Sequence, residues 1–147
     1  LKGQIELSKV LLSHGASPDI QDKDGNTPLH IAALKGQIEL LKLFLSHRAS
    51  PDIQNNHGYT PLLITVRKGQ IDVIENILSL GASPDIQDKD GNTPLHIAAL
   101  KGQIELSKLL LSHGASPYIQ DKDGNTPLHI AAIKGQIEMQ LFLLKQL

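Results

Sequence analysis

The most constraining feature of this chain is a repeat with a period of 33 residues. Thr-Pro-Leu-His begins at Thr27, Thr93 and Thr126, and Thr-Pro-Leu-Leu begins at Thr60, so the four starts fall on one 33-residue spacing. A unit this short cannot bury its own apolar face, and it gains stability by stacking on copies of itself. The sequence therefore predicts a linear array in which neighbouring units supply the core.

Each unit has the pattern of a turn followed by two helices. Residues 22–26 combine Asp, Gly and Asn, which favour a tight turn. Thr27 followed by proline predicts a helix start, and Gly36 predicts its end in a left-handed conformation. Apolar residues then recur at i, i+3 and i+7 from Gln37 to about His47. This spacing predicts an amphipathic second helix of about three turns.

Composition narrows the function classes. The 147 residues carry a formal net charge of −1, without the basic excess of a general nucleic-acid binder. There is no cysteine, which excludes disulfides and thiolate metal sites. The sequence contains no run of about 18 apolar residues, which is the length needed to span a membrane. We therefore expect one domain with no nucleic-acid partner and no membrane insertion.

The histidines do not form a metal-binding pattern. His30, His96 and His129 occupy the same position in different units, and packed helices lie about 8–10 Å apart. Zinc holds its nitrogen ligands at about 2.0–2.1 Å, so neighbouring copies cannot share one ion. The turn also resembles part of a calcium loop, but isoleucines stand where the first and last ligands should be acidic. We predict no metal site and no cofactor.

Catalytic constellations are also missing. Ser, His and Asp recur in every unit at turn and cap positions, and no set of them is unique to one place. We therefore predict no catalytic residues and a chain that is not an enzyme.

The order Asp-x-x-Gly-x-Thr-Pro-Leu-His-x-Ala-Ala-x-x-Gly, followed by a helix ending Leu-x-x-Gly-Ala, closely resembles the ankyrin repeat over essentially the whole chain. The resemblance implies an all-α repeat solenoid of stacked antiparallel helix pairs with projecting β-hairpin loops. It implies that the motif histidine forms hydrogen bonds within and between repeats, and that the protein is intracellular. The expected organisation is a single domain, 1–147, with a half repeat at 1–21 and repeats at 22–54, 55–87, 88–120 and 121–147.

Repeat 55–87 departs from this pattern. Leu63 replaces the motif histidine, and Thr65 and Val66 replace an alanine pair. A valine where close helix contact needs alanine commonly costs about 1–3 kcal/mol by overpacking. Arg48, just ahead of this repeat, stands where other repeats have a glycine, in an expected left-handed position that costs roughly 1 kcal/mol. We predict that repeat 55–87 is locally the least stable.

The resemblance implies that a partner binds at the hairpin tips and on the inner faces of the first helices. Repeat 55–87 differs most from the others there, and it carries Tyr and Arg, which are enriched at binding hot spots. A lysine also precedes the glycine that ends each first helix, and we call Lys2, Lys35, Lys68, Lys101 and Lys134 the lysine row. The row either complements helix dipoles or forms a positively charged recognition surface. The predicted partner-binding residues are Asn56, His57, Tyr59, Arg67, Lys68, Lys35 and Lys101.

Two functions follow from these observations. The first is a protein–protein interaction module whose partner the sequence does not identify, and the second is a structural spacer in a longer array, without a dedicated site. The last helix also lacks the polar outer face of a capping repeat. Leu141 replaces the lysine found at Lys42 and Lys108. We therefore expect either more protein after Leu147 or an end-to-end contact through this helix.

Overall fold

The computed structural model describes residues 2–147. In this range the chain forms nine α-helices and no strand. The helices are α1 (Lys2–Ser13), α2 (Pro28–Leu34), α3 (Ile38–Ser46), α4 (Pro61–Lys68), α5 (Ile71–Ser79), α6 (Pro94–Lys101), α7 (Ile104–Ser112), α8 (Pro127–Ile133) and α9 (Ile137–Leu144). First helices α2, α4, α6 and α8 alternate with second helices α3, α5, α7 and α9, and α1 corresponds to a second helix. The predicted all-α repeat solenoid is confirmed.

Local capping sets the bounds of the first helices. The Thr27 side chain accepts a hydrogen bond from the backbone N–H of His30, and Pro28 occupies the first turn of α2. The His30 side chain in turn accepts the backbone N–H of Thr27 at 3.0 Å. Gly36 lies just beyond the helix with a φ of 65°. The predicted start and the predicted left-handed end are both confirmed.

The projecting loops are tight turns without strand pairing in the described range. Asp22 Oδ1 accepts the backbone N–H groups of Asp24 and Asn26, both at 2.9 Å. The backbone of the same turn is closed by Asp22 N–H donating to the carbonyl of Asn26 at 2.9 Å. The structure therefore has hydrogen-bonded turns where the resemblance implies β-hairpin loops.

The core is continuous from one repeat to the next. Leu29, Leu62 and Leu95 at matching positions of the first helices are buried, as are Leu41 and Ile74 of the second helices. Most of the other buried apolar side chains join them in one cluster that extends across the repeats. Neighbouring repeats therefore form the core together.

Side chains that bond the backbone of the next repeat reinforce this stack. Gln54 Nε2 donates to the carbonyl of Gln87 at 2.8 Å, and Asp52 Oδ1 accepts the backbone N–H of Ser83 at 3.0 Å. Ser83 belongs to a Ser-Pro pair that also occurs at Ser17, Ser50 and Ser116. The second bond fixes the loop that contains this pair, so loop geometry explains why the pair recurs. Each of these contacts recurs in other repeats.

The motif histidine has the structural role that the resemblance implies. His30 Nε2 bonds the carbonyl of Tyr59 at 2.8 Å, and His96 Nε2 bonds that of Asn125 at 2.8 Å. Leu63 offers no nitrogen for the equivalent bond to Asn92. The junction between repeats 55–87 and 88–120 therefore lacks a histidine bond that two other junctions have.

The turns at this junction are also less connected. Asn56 N–H donates to the carbonyl of Asp24 at 3.0 Å, and Lys122 N–H donates to that of Asp90 at 3.1 Å. Within residues 2–147, no such backbone bond joins the turn of repeat 55–87 to that of repeat 88–120. We refer to this contact between repeats 55–87 and 88–120 as the central junction.

The other departures of this region have clear positions in the fold. Leu63, Thr65 and Val66 are completely buried, and the Thr65 hydroxyl donates to the carbonyl of Leu62 at 2.7 Å. The packing cost expected of Val66 stays a prediction. Arg48 has a φ of 64° and is the one non-glycine residue in the described range with a positive φ, as the sequence predicted.

Candidate protein-binding surface

The turn of repeat 55–87 is built around asparagines in place of the usual charged residues. Asn55 Oδ1 accepts the backbone N–H groups of His57 and Tyr59, both at 3.0 Å. Asn56 Nδ2 donates to the carbonyl of Lys23 at 2.9 Å. Asn56 therefore holds this turn against the preceding one and also remains exposed.

Tyr59, His57 and Arg67 form a cluster on this repeat. The Arg67 guanidinium carbon lies 4.8 Å from the centroid of the Tyr59 ring. The His57 ring lies 6.1 Å from the same centroid, with the planes tilted by 31°. A cation–π contact at an exposed site contributes about 0.5–1 kcal/mol, and it orders the arginine next to the turn. Three of the predicted residues are thus brought together.

Two members of the lysine row bind the preceding repeat. Lys68 Nζ donates to the carbonyl of Leu34, the last residue of α2, at 3.0 Å. Lys101 Nζ donates to the carbonyl of Arg67 near the end of α4. Each ammonium therefore complements the carboxyl end of a helix, which supports the dipole interpretation. An ammonium has three donors, so each lysine retains donors for a ligand.

The charge balance of repeat 55–87 differs from that of the other repeats. Segment 55–69 contains Arg67 and Lys68 and no carboxylate, whereas segments 22–36 and 88–102 each contain two lysines and two aspartates. The salt bridges found in residues 2–147 lie on second helices, and they are Lys9–Glu6, Lys42–Glu39 and Lys108–Glu105. The inner face of repeat 55–87 therefore carries positive charges that none of these ion pairs neutralises.

Two surface cavities flank Arg67. A cavity of about 180 Å³ is lined by Arg67 together with Ile97 and Leu100. A second, of about 290 Å³, is lined by Arg67 together with Leu34 and Ile64. Tyr59 and Lys68 also line the second cavity, and Lys101 lines the first. Four of the seven predicted residues therefore line these cavities, His57 packs beside Tyr59, and Lys35 lies one repeat away from Lys68.

The two buried histidines near this surface have pKa values below the usual value for histidine. Burial lowers the pKa of His30, against the opposing effects of its bond to the Tyr59 carbonyl and of the Asp22 charge. Burial likewise lowers the pKa of His96, and Asn125 opposes this through its carbonyl. In the neutral ring, Nε2 donates to the next repeat and Nδ1 accepts from the threonine cap. Both rings are thus occupied by structural bonds.

Sequence reasoning found these residues but not how they contact each other. Tyr59 and Arg67 stand out because both differ from the residues at equivalent positions of the other repeats, but this difference does not show that their side chains touch. The hydrogen bond from Lys68 to the Leu34 carbonyl cannot be predicted from the residues around Lys68, because it joins two different repeats.

Comparison with known proteins identifies a family but no close relative. The family model for ankyrin repeats (3 copies) matches residues 1–88 and 63–147, which together cover the chain. A search of curated proteins finds no match.

In the part of the chain that the structure describes, no group of three or more acidic or histidine side chains could hold a metal ion. No described helix has both the length and the apolar character needed to cross a membrane.

Proposed function

This chain belongs to the ankyrin repeat family, and from this premise we propose that it binds a protein partner through the inner face and the turns around repeat 55–87. Ankyrin repeats are generally protein–protein interaction modules, and the family is typically non-enzymatic. The proposed contact residues are Asn56, His57, Tyr59, Arg67, Lys68, Lys35 and Lys101.

The contact between Arg67 and Tyr59 carries this proposal. Other repeats have leucine or isoleucine at the position of Arg67 and asparagine at that of Tyr59, for example Leu34 and Asn26 in repeat 22–54. The fold is therefore built without an Arg–Tyr pair in those repeats, so a stacking requirement does not explain it. Arg67 is exposed, and its stacking on the ring reduces the conformational entropy that binding would otherwise remove.

The test replaces this pair with the residues of its neighbours. Tyr59→Asn combined with Arg67→Leu makes repeat 55–87 resemble repeat 22–54, and loss of the cation–π contact is expected to lower the melting temperature by no more than about 4 °C. The intact chain and the variant are used as baits in quantitative affinity capture from cells that express the protein. A partner that binds this surface is retained by the intact chain and lost from the variant.

The control removes charge on the opposite side of the molecule. Lys42→Gln with Lys108→Gln changes two exposed second-helix residues and should retain the same partner. If every captured protein binds the Tyr59/Arg67 variant as well as the intact chain, the proposed surface is wrong. That result would favour the alternative function, a structural spacer in which no partner depends on these residues.

The C-terminal helix supports a further contact, which we assign to a second copy of the chain. Leu141 lies on the outward side of its helix and is 57% exposed, which is unusual for a large apolar side chain. The equivalent positions of the other second helices are all charged: Lys9, Lys42, Glu75 and Lys108. Leu7, Val10 and Leu11 of α1 are also exposed. The exposed apolar side chain of α9 can therefore pack on the exposed apolar side chains of α1 in a second copy.

This end-to-end contact is measurable as self-association. A head-to-tail contact does not close on itself, so the average mass should increase with concentration. Leu141→Lys restores the charge found in the other helices and should reduce that increase in sedimentation equilibrium. A constant monomer mass, or an unchanged increase in the variant, would exclude the contact.

A further inference from the structure

The inner face presents cations at a regular spacing. Lys35, Lys68, Lys101 and Lys134 occupy one position in successive repeats, and all four are exposed. Stacked helices lie about 8–10 Å apart, so the lysine row offers one positive charge about every 8–10 Å. Arg67 adds a cation near the middle of the row.

The lysines are partly immobilised before any ligand binds. Lys68 Nζ is bonded to the Leu34 carbonyl, and Lys101 Nζ is bonded to the Arg67 carbonyl. Fixing a lysine side chain during binding costs free energy, and these bonds meet part of that cost within the folded chain. Lys68 and Lys101 are therefore pre-organised members of the row.

From this spacing, we propose that the partner segment is acidic and adopts the polyproline II conformation, with a carboxylate at every third residue. The inference rests on the proposed function and specifies the chemistry of its partner. Polyproline II has three residues per turn and a rise of about 3.1 Å. Every third side chain then points the same way and is about 9 Å from the next one. Both the direction and the distance agree with the lysine row.

The other regular conformations fit less well. In a β-strand successive side chains alternate between faces, so carboxylates at every third residue would alternately face the lysines and point away from them. An α-helix would need an acidic residue at every seventh position, about 10.5 Å apart, and its body is about 10–12 Å wide. The cavities on either side of Arg67, of about 180 and 290 Å³, suit single side chains, since a cavity of about 150 Å³ accommodates benzene.

Fluorescence anisotropy with synthetic peptides tests this inference on the complete chain. One labelled peptide repeats Ala-Pro-Glu, and a second has the same composition with all glutamates contiguous. Exposed ion pairs contribute modestly one by one, so alignment of several pairs should give the repeating peptide about tenfold tighter binding. Binding should weaken as salt is raised, because the charges are exposed.

Variants locate the binding on the lysine row. Lys68→Gln with Lys101→Gln removes two charges from the row but keeps a side-chain donor, and it should weaken binding about tenfold. Lys42→Gln with Lys108→Gln removes the same charge from the outward face and should change affinity by less than about twofold. The two variants have the same net charge, so a non-specific electrostatic effect would weaken both equally.

Several results would overturn the inference. One result is that the contiguous peptide binds as tightly as the repeating peptide, or that a helical peptide with glutamate at every seventh position or single-stranded DNA binds more tightly. Another is that the two lysine variants lose the same affinity. A third is that the repeating peptide does not bind at about millimolar concentration. If affinity capture still depends on Tyr59 and Arg67 in any of these cases, the proposed function stands and only the partner chemistry is wrong.

Discussion

At the scale of single residues, backbone conformation makes Arg48 a point of strain. Its φ of 64° costs a residue with a Cβ roughly 1 kcal/mol more than it costs glycine. We predict that Arg48→Gly raises the free energy of unfolding by about 1 kcal/mol in urea denaturation.

The reverse change provides the control for Arg48. Gly114 has a φ of 88°, and a Cβ placed there meets no atom within 4 Å. Gly114→Arg should therefore lower stability by about the same roughly 1 kcal/mol, through backbone strain alone. If neither change alters the urea midpoint, the left-handed conformation is not a source of instability at these turns.

The two buried histidines predict a dependence of stability on pH. Burial lowers the pKa of His30 and His96 in the folded chain, so the unfolded chain binds more protons as the pH falls through the usual histidine range. The stability that the neutral rings provide is complete above about pH 6.5 and is lost towards the lower folded pKa. The nearby charges of Asp22, Asp88 and Asp121 oppose this effect.

We predict that the free energy of unfolding falls as the pH is lowered below about 6.5. His30→Leu with His96→Leu should reduce this slope, and Leu63 shows that the repeat accommodates leucine there. Urea denaturation at several pH values measures both slopes. An unchanged slope in the double variant would mean that other groups are responsible.

At the scale of elements, the central junction has fewer hydrogen bonds than its neighbours. Leu63 replaces the histidine that would bond the Asn92 carbonyl, and the adjacent turns lack a backbone bond within the described range. We predict that Leu63→His stabilises the chain by about 0.5–1.5 kcal/mol, the usual net contribution of one hydrogen bond. Urea denaturation at about pH 7.5, where a buried histidine is neutral, measures the change.

A smaller side chain at the same site controls for packing. Leu63→Ala should destabilise by about 2–5 kcal/mol, because it leaves a cavity at a completely buried position. If Leu63→His destabilises the chain comparably, the histidine has not formed the bond to Asn92, and the missing bond does not explain the weakness of this junction.

How much of these elements could be predicted depends on how local their causes are. Thr27, Pro28 and Gly36 determine the bounds of α2 through contacts within the same helix, so the sequence was sufficient. The burial of Leu40 was missed, because the i, i+3, i+7 pattern selected other positions of α3 although Leu40 is only 6% exposed. Its burial comes from packing between repeats.

The candidate site was predictable as a set of residues but not as a geometry. Tyr59 and Arg67 were recognised because they differ from equivalent positions in other repeats. Their separation of 4.8 Å depends on how the turn meets α4, and the bond from Lys101 to the Arg67 carbonyl depends on how two repeats stack. Such contacts depend on tertiary packing and leave no mark within one 33-residue period.

At the scale of the whole molecule, stability reflects both position in the stack and the quality of each junction. In a repeat array each unit contacts only its neighbours, so the total is close to a sum of unit and junction contributions. The last repeat contributes to a small separate cluster of buried residues, Ala99, Ala131, Met139 and Leu143. Repeat 55–87 lies within the large cluster but has the less hydrogen-bonded junction.

We predict that amide protection in native-state hydrogen exchange varies along the chain according to these unit and junction contributions. The amides of α1 and α9 should exchange fastest, because α1 has no buried residue and α9 has only Met139 and Leu143 buried. Among the inner helices, α4 and α5 should exchange faster than α6 and α7, because repeat 55–87 carries Val66 and follows the left-handed Arg48, whereas the weakened central junction affects both repeats. Exchange measured by mass spectrometry on overlapping peptides resolves these segments, and Leu63→His should slow exchange in α4 and α6 more than in α2. Uniform protection from α2 to α7 would mean that the shared apolar core outweighs the missing hydrogen bonds, and that the array unfolds as one cooperative unit.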